Sequence, residues 1–291
     1  MNTILDITSG MSSLSIEDKS MGMMSEPATI FRYIPRNILL EYCTGAEYGA
    51  LLRVNNAWNQ IVSNPELWRE IFDREGLPYF DEVKCRRYRG EPSPVPQFSW
   101  PKAYGYFNSD SELFPGKKVK ETEKLQLFYN KIDGQPMTLN YAGTLAKTPK
   151  DGSNGIAACF SKYCFDETFE VHGEVPIGTS FWGFVTVIPL DESIKKSLAE
   201  KLTLATKYPG YRLHKVVERS IANFDNVVET GKYLDGKDSW TICEEAGKEN
   251  RGLGETDYRL AIRGACIPDG ISVSPHSIAH YFGGVTLLRE F

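Results

Sequence analysis

The sequence predicts an α+β protein in which a short N-terminal module of three helices precedes a mixed domain built on a mainly antiparallel sheet with two or more amphipathic helices. Three observations predict it. Apolar residues recur at offsets of three and four between Ile34 and Phe72, the period of a helix face. Short runs of β-branched and aromatic residues between glycine and proline breaks follow in the second half, as strands require. Two stretches, Ile194 to Ala205 and Leu213 to Val228, return to the helical period, so strands and helices are partly segregated rather than strictly alternating.

Residues 1–29 are rich in Ser and Met, poor in aromatics and without a sustained period, and read as a mobile leader. That composition also leaves room for a non-cleaved bacterial secretion address. Residues 30–75 hold the helical module. In its first helix Ile34, Ile38, Leu39, Tyr42 and Cys43 share a face, with Pro35 suited to the opening turn and Gly45 to the end. In the second, Leu51, Val54, Trp58, Ile61 and Val62 form the apolar stripe. The third opens on Asn64 as a side-chain cap, Pro65 in the first turn and Glu66 against the helix dipole, and presents Leu67, Trp68, Ile71 and Phe72.

Residues 76–101 read as a connecting segment. Pro92, Pro94, Pro96 and Pro101 remove backbone donors and predict an extended linker between two bodies. In the remaining 102–291, Leu125 to Tyr129, Thr138 to Leu145, Phe169 to Val175 and Phe181 to Leu190 are expected to be strands. Asp191 is expected to cap a helix carrying Ile194, Leu198, Leu202 and Ala205, and a second helix from Leu213 should stop at Gly231. Tyr258 to Cys266 and Gly284 to Phe291 read as closing strands.

Hydrophobic residues at 41% and charged residues at 24% suit a globular chain with a real core, and a net charge of −5 supplies no overall attraction for polyanions. The local basic clusters, Lys84 with Arg86, Arg87 and Arg89, and Lys117 and Lys118 with Lys120, lack the interleaved aromatics of a base-stacking surface, so no nucleic-acid partner is expected. The six cysteines, at 43, 85, 159, 164, 243 and 266, form no C-x-x-C pair and suit free thiols in a reducing cytosol. No apolar run reaches the about 18 residues of a membrane span.

Three helices in so short a stretch bury too little surface to be secure alone, which leaves packing on the rest of the chain or on a partner. The ordered pieces Ile34-Pro35-Arg36-Asn37-Ile38-Leu39-Leu40, Leu51-Leu52-Arg53-Val54-Asn55-Asn56-Ala57-Trp58 and Asn64-Pro65-Glu66-Leu67-Trp68-Arg69 resemble the F-box family. Ile34 stands where that family has leucine, Asn64 replaces aspartate, and Gly45 and Gly49 loosen the entry to the second helix. The resemblance implies a substrate-recruiting adaptor, not itself an enzyme, that docks the Skp-type adaptor of a cullin ubiquitin ligase and holds an unknown target protein with its C-terminal domain. The docking face it implies comprises Ile34, Pro35, Ile38, Leu39, Leu51, Val54, Trp58, Leu67 and Trp68. The general layout and the closing Phe282-Gly283-Gly284-Val285-Thr286-Leu287-Leu288-Arg289 resemble F-box-like proteins of host-associated intracellular bacteria, which implies action in a eukaryotic cytosol.

Two other readings compete. The C-terminal domain could be a thiol-dependent effector enzyme, since Cys159, Cys164, Cys243 and Cys266 coexist with His172, His214, His276 and His280, although no nucleophile signature surrounds any of these cysteines. The helical lobe could instead be purely structural, with Trp58 and Trp68 anchoring it on the rest of the chain. His276 and His280 are four apart, but Pro275 and the flanking serines suggest a loop, and no metal is expected. Neither Pro115-Gly116-Lys117-Lys118 nor Arg251-Gly252-Leu253-Gly254 completes a phosphate loop, and Glu244 and Glu245 would point to opposite faces of a strand, so neither a cofactor nor an acid/base pair is expected.

Overall fold

The computed structural model describes residues 64–152, 172–235, 240–250, 255–263, 271–276 and 283–291. The chain divides into Met1–Asn64 and Pro65–Phe291, and every described residue except Asn64 belongs to the second unit. The first two predicted helices, and with them Ile34, Pro35, Ile38, Leu39, Leu51, Val54 and Trp58, lie outside the described residues.

The second unit mixes helices with mainly antiparallel sheets. It opens with helix α1 (Pro65–Arg74), whose apolar stripe Leu67, Trp68, Ile71 and Phe72 is buried. Burial of each such side chain stabilises by about 1.5–3 kcal/mol. Strand β1 (Tyr79–Phe80) and helix α2 (Glu82–Tyr88) come next, the helix capped by Asp81, whose carboxylate accepts from the Val83 and Lys84 amides at 3.1 and 3.0 Å. Helix α3 (Trp100–Phe107) takes Pro101 in its first turn.

Five strands make the first sheet, in the order β1, β2 (Glu123–Phe128), β5 (Phe181–Thr186), β11 (Leu287–Glu290) and β6 (Tyr211–Leu213). Only the β1–β2 pair is parallel in it. At Gly183, where β5 meets β11, a Cβ would lie 2.6 Å from Leu288 Cδ1 and 3.2 Å from Arg289 O, so a side chain there would require Leu288 to move. Strands β3 (Lys131–Ile132) and β4 (Gln135–Pro136) form a hairpin, and the second sheet runs β10 (Gly283–Gly284), β7 (Trp240–Asn250), β8 (Glu255–Arg263), β9 (Ser272–His276). Pro275 sits on the outer strand β9, where its missing N–H costs least.

Helix α4 (Leu139–Lys147), helix α5 (Leu198–Thr206) and the long helix α6 (Val216–Thr230) complete the unit. Helix α6 packs against α4, β2, β7 and β8, and ends at Gly231, whose φ of 74° gives the left-handed turn that releases the chain. Side chains of β2 alternate accordingly: Lys124 and Gln126 reach α6, whereas Glu123 reaches α3 and β6.

Four expectations are corrected. Thr138 to Leu145 is not a strand: Thr138 caps α4 through the Tyr141 amide at 3.1 Å, a local bond that outweighs its β-like composition. Of Phe169 to Val175 only residues 172–175 are described, and they form a turn. Asp191 opens a short 3-10 turn, and the true cap of α5 is Ser197, which with Glu200 closes a capping box. Residues 91–99 are no free linker, because they are bonded along their length to the unit they were expected to tether: the Ser93 amide donates to Lys131 O at 3.0 Å, the Glu91 amide to Asp133 at 2.9 Å, and Trp182 Nε1 to Pro96 O at 3.3 Å.

Candidate functional site

The bound proline-rich segment forms one wall of a cleft of about 480 Å³. Phe98 stacks on Trp182 with ring centres 4.3 Å apart and meets Trp100 edge-on at 5.2 Å, giving an aromatic floor. Glu82, Arg86, Glu91 and Gln97 supply the polar rim. Arg86 Nε donates to both Glu91 carboxylate oxygens at 3.0 Å in an exposed pair, and Arg69 reaches from α1 to Glu82 at 2.8 Å and to Asp81. An exposed pair of this kind contributes little to stability and can exchange its partner for an incoming charge.

Of the nine expected docking residues, Leu67 and Trp68 are described, at 1% and 0% exposure. Trp68 packs against the Tyr104 ring at 5.6 Å. Both are committed to the core of the second unit.

The Lys84, Arg86, Arg87 and Arg89 cluster does not present free cations: each pairs with a carboxylate, respectively Glu229, Glu91, Asp151 and Asp225. Lys118 likewise pairs with Asp110 at 2.7 Å.

Beneath the sheet, α6 carries a series of buried and partly buried ion pairs. Arg89 Nε donates to Asp225 at 2.8 Å, and Gln126 adds a bond at 2.9 Å. Burial pushes the Asp225 carboxyl up, and Arg89 opposes that rise. Glu229 accepts from Lys124 at 2.9 Å and from Lys84. Burial works against its charge, but the two lysines outweigh it and hold its pKa below the ordinary value. Arg219 pairs with Asp235 through two nitrogens, at 2.7 and 3.0 Å, while Thr241 and Asn223 each donate to the same carboxylate at 2.6 Å. Most of these groups are satisfied by one another, as a structural network requires, although Arg89 Nη2 and Gln126 Oε1 find no partner.

The thiol candidates sit differently from a nucleophile pair. Cys243 and His214 are both wholly buried. Burial pushes the Cys243 thiol well up and the His214 ring well down, the latter helped by Arg219 and Arg212. A neutral thiol and a neutral imidazole do not make a thiolate. Cys85, outside that set of candidates, is also buried with its thiol pushed up. Cys159, Cys164, Cys266 and His280 lie outside the described residues. Among the described residues no group of three His, Cys, Asp or Glu side chains could hold a metal ion, and no helix is long and apolar enough to cross a membrane.

Sequence reasoning missed Glu123, Tyr106 and Tyr211, whose oxygens meet on the α3 face of the first sheet. Tyr211 lies 3.0 Å and Tyr106 3.4 Å from the Glu123 carboxyl, which burial pushes up to about 7. The one local signal was Glu123 at the head of the strand, followed by Lys124 and Gln126 among its apolar residues. The same reasoning missed the cleft, because the prolines that mark it were read as a spacer. Comparison with protein-family models, with curated proteins and with solved structures found no match.

Proposed function

We propose that this chain is a substrate-recruiting adaptor of a Skp/cullin/F-box type ubiquitin ligase acting in the cytosol of a eukaryotic cell, and that it holds its target at the cleft that the proline-rich segment forms with α2, Trp100 and Trp182. The observation that carries the reading is the ordered series of motif pieces from Ile34 to Trp68. Its third piece supports the reading in part: Asn64 precedes a helix that starts at Pro65 and carries Leu67 and Trp68 inward. The docking face is therefore narrowed to Ile34, Pro35, Ile38, Leu39, Leu51, Val54 and Trp58, with Leu67 and Trp68 serving as anchors of the second unit. The cleft supports the other half, because a concave site with an aromatic floor and a few charged rim groups is the usual form of a binding site.

Affinity capture of tagged full-length chain from eukaryotic lysate tests the proposal. The Skp-type adaptor and a cullin should co-purify, and Arg86→Glu in the cleft rim should leave both in place. A chain that captures neither contradicts it.

A further inference from the structure

Three oxygen-bearing side chains from three elements close a ring whose contacts outnumber its phenol protons. Glu123 opens β2 and is wholly buried, Tyr106 lies in the last turn of α3, and Tyr211 opens β6. Tyr211 Oη is 3.0 Å from Glu123 Oε1, Tyr106 Oη is 3.4 Å from Oε2, and the two phenol oxygens meet each other in the shortest contact of the three. Each oxygen–oxygen contact needs one proton between its partners. The phenols bring two. An ionised Glu123 would leave one contact as two facing lone pairs, whereas a protonated Glu123 fills all three: the acid donates to Tyr106, Tyr106 to Tyr211, and Tyr211 back to the acid.

We propose that Glu123 is a neutral carboxylic acid in weakly acidic solution, below neutral pH, and that the ring it closes with Tyr106 and Tyr211 is a proton-operated latch seating α3 on the sheet. The groups that face it from the surrounding elements are Tyr106 on α3, Tyr211 on β6, Arg289 on β11, and Glu112 in the segment after α3. Arg289 donates to Tyr106 at 3.5 Å, lies over both phenol rings at 5.1 and 5.3 Å, and pairs with Glu112 at 3.4 Å. Burial favours the acid most, the hydrogen bonds from Tyr211 and Tyr106 and the charge of Arg289 favour the anion, and Glu112 favours the acid. Tyr106 is the half-exposed member, and α3 carries Trp100 of the cleft floor at its other end. Losing the proton opens one contact of the ring and loosens the hold of Tyr106 on the sheet while Phe107 stays packed against Phe72 and Phe184, so the cleft floor at the other end of α3 is tied to proton uptake.

Nuclear magnetic resonance of full-length chain labelled at the glutamate carboxyl carbon tests this. The Glu123 signal, identified by its loss in Glu123→Gln, should titrate with a midpoint at about 7. The Trp100 indole signal should follow the same midpoint. A Glu123 midpoint in the ordinary carboxylate range, near 4.3, overturns the proposal. In Glu123→Gln the amide can donate to Tyr106 and accept from Tyr211, so the ring stays closed and the Trp100 response should vanish. A Trp100 response unchanged in that variant also overturns the latch. Should Glu123→Gln fail to fold, Tyr211→Phe decides: with the ring broken at Tyr211 the Trp100 signal should no longer follow the Glu123 midpoint, and a Trp100 response that persists overturns the latch.

Discussion

Arg89 and Asp225 stand 136 residues apart in sequence and 2.8 Å apart in space, both almost wholly buried. The pair fastens the end of α2 to the middle of α6. Removing one partner strands a charge in the interior, a cost of about 3–5 kcal/mol. Asp225→Ala should lower the unfolding free energy by that amount in urea titration. Arg89→Met combined with Asp225→Leu should recover much of the loss, because neither charge then remains buried.

Fragment boundaries give a second expectation. A fragment starting at Pro65 contains α1, β1 and α2, whose Trp68, Phe72 and Phe80 are fully buried. It should melt cooperatively in calorimetry. A fragment starting at Phe98 loses those side chains and Arg89 together, and should show no cooperative transition.

The stripe Leu67, Trp68, Ile71, Phe72 and the stop at Gly231 were legible in the sequence because helix period and left-handed turns are local properties. Strand Phe181 to Thr186 was legible for the same reason. Thr138 to Leu145 was misread because β-branched composition says nothing of the cap that wins. Helix α3 and the cleft were missed because Pro92, Pro94, Pro96 and Pro101 look the same in a spacer and in a segment bound along its length; only contacts with Lys131, Asp133 and Trp182 distinguish them. The Glu123 ring joins residues 106, 123 and 211, a proximity no local pattern encodes.

The burial of Cys85 and Cys243 predicts slow chemistry. In the folded full-length chain both thiols should resist an aromatic disulfide reagent and react only on unfolding. Mass spectrometry of labelled peptides checks this. Labelling of Cys243 at the rate of a free thiol would revive the thiol-enzyme reading.

Stability should fall with rising pH through the neutral range. Glu245 accepts from the Val216 amide at 2.8 and 3.0 Å, yet burial, with Glu218 and Glu244 adding to it, pushes its carboxyl up to about 7. Its folded value lies above its unfolded one, near 4.3. The native state therefore binds more protons between those values, and the contribution is fully present below about pH 4.3 and lost as pH rises through about 7. Discounted for partial exposure, the effect is about 1–2 kcal/mol. Glu245→Gln should flatten the stability–pH curve over that window, as followed by urea midpoints. An unchanged slope would show that Glu245 titrates alike in both states.

Calorimetric titration of purified Skp-type adaptor into purified full-length chain measures adaptor docking through the N-terminal pieces. Saturable binding at one adaptor per chain is predicted for the native protein. Pro35→Ala with Leu39→Ala should weaken it while the melting of the second unit stays unchanged; Trp68→Ala should instead lower that unit's stability by about 3–5 kcal/mol. Absence of binding by native chain would rule adaptor docking out, and binding undiminished in the Pro35→Ala, Leu39→Ala variant would rule out this docking face.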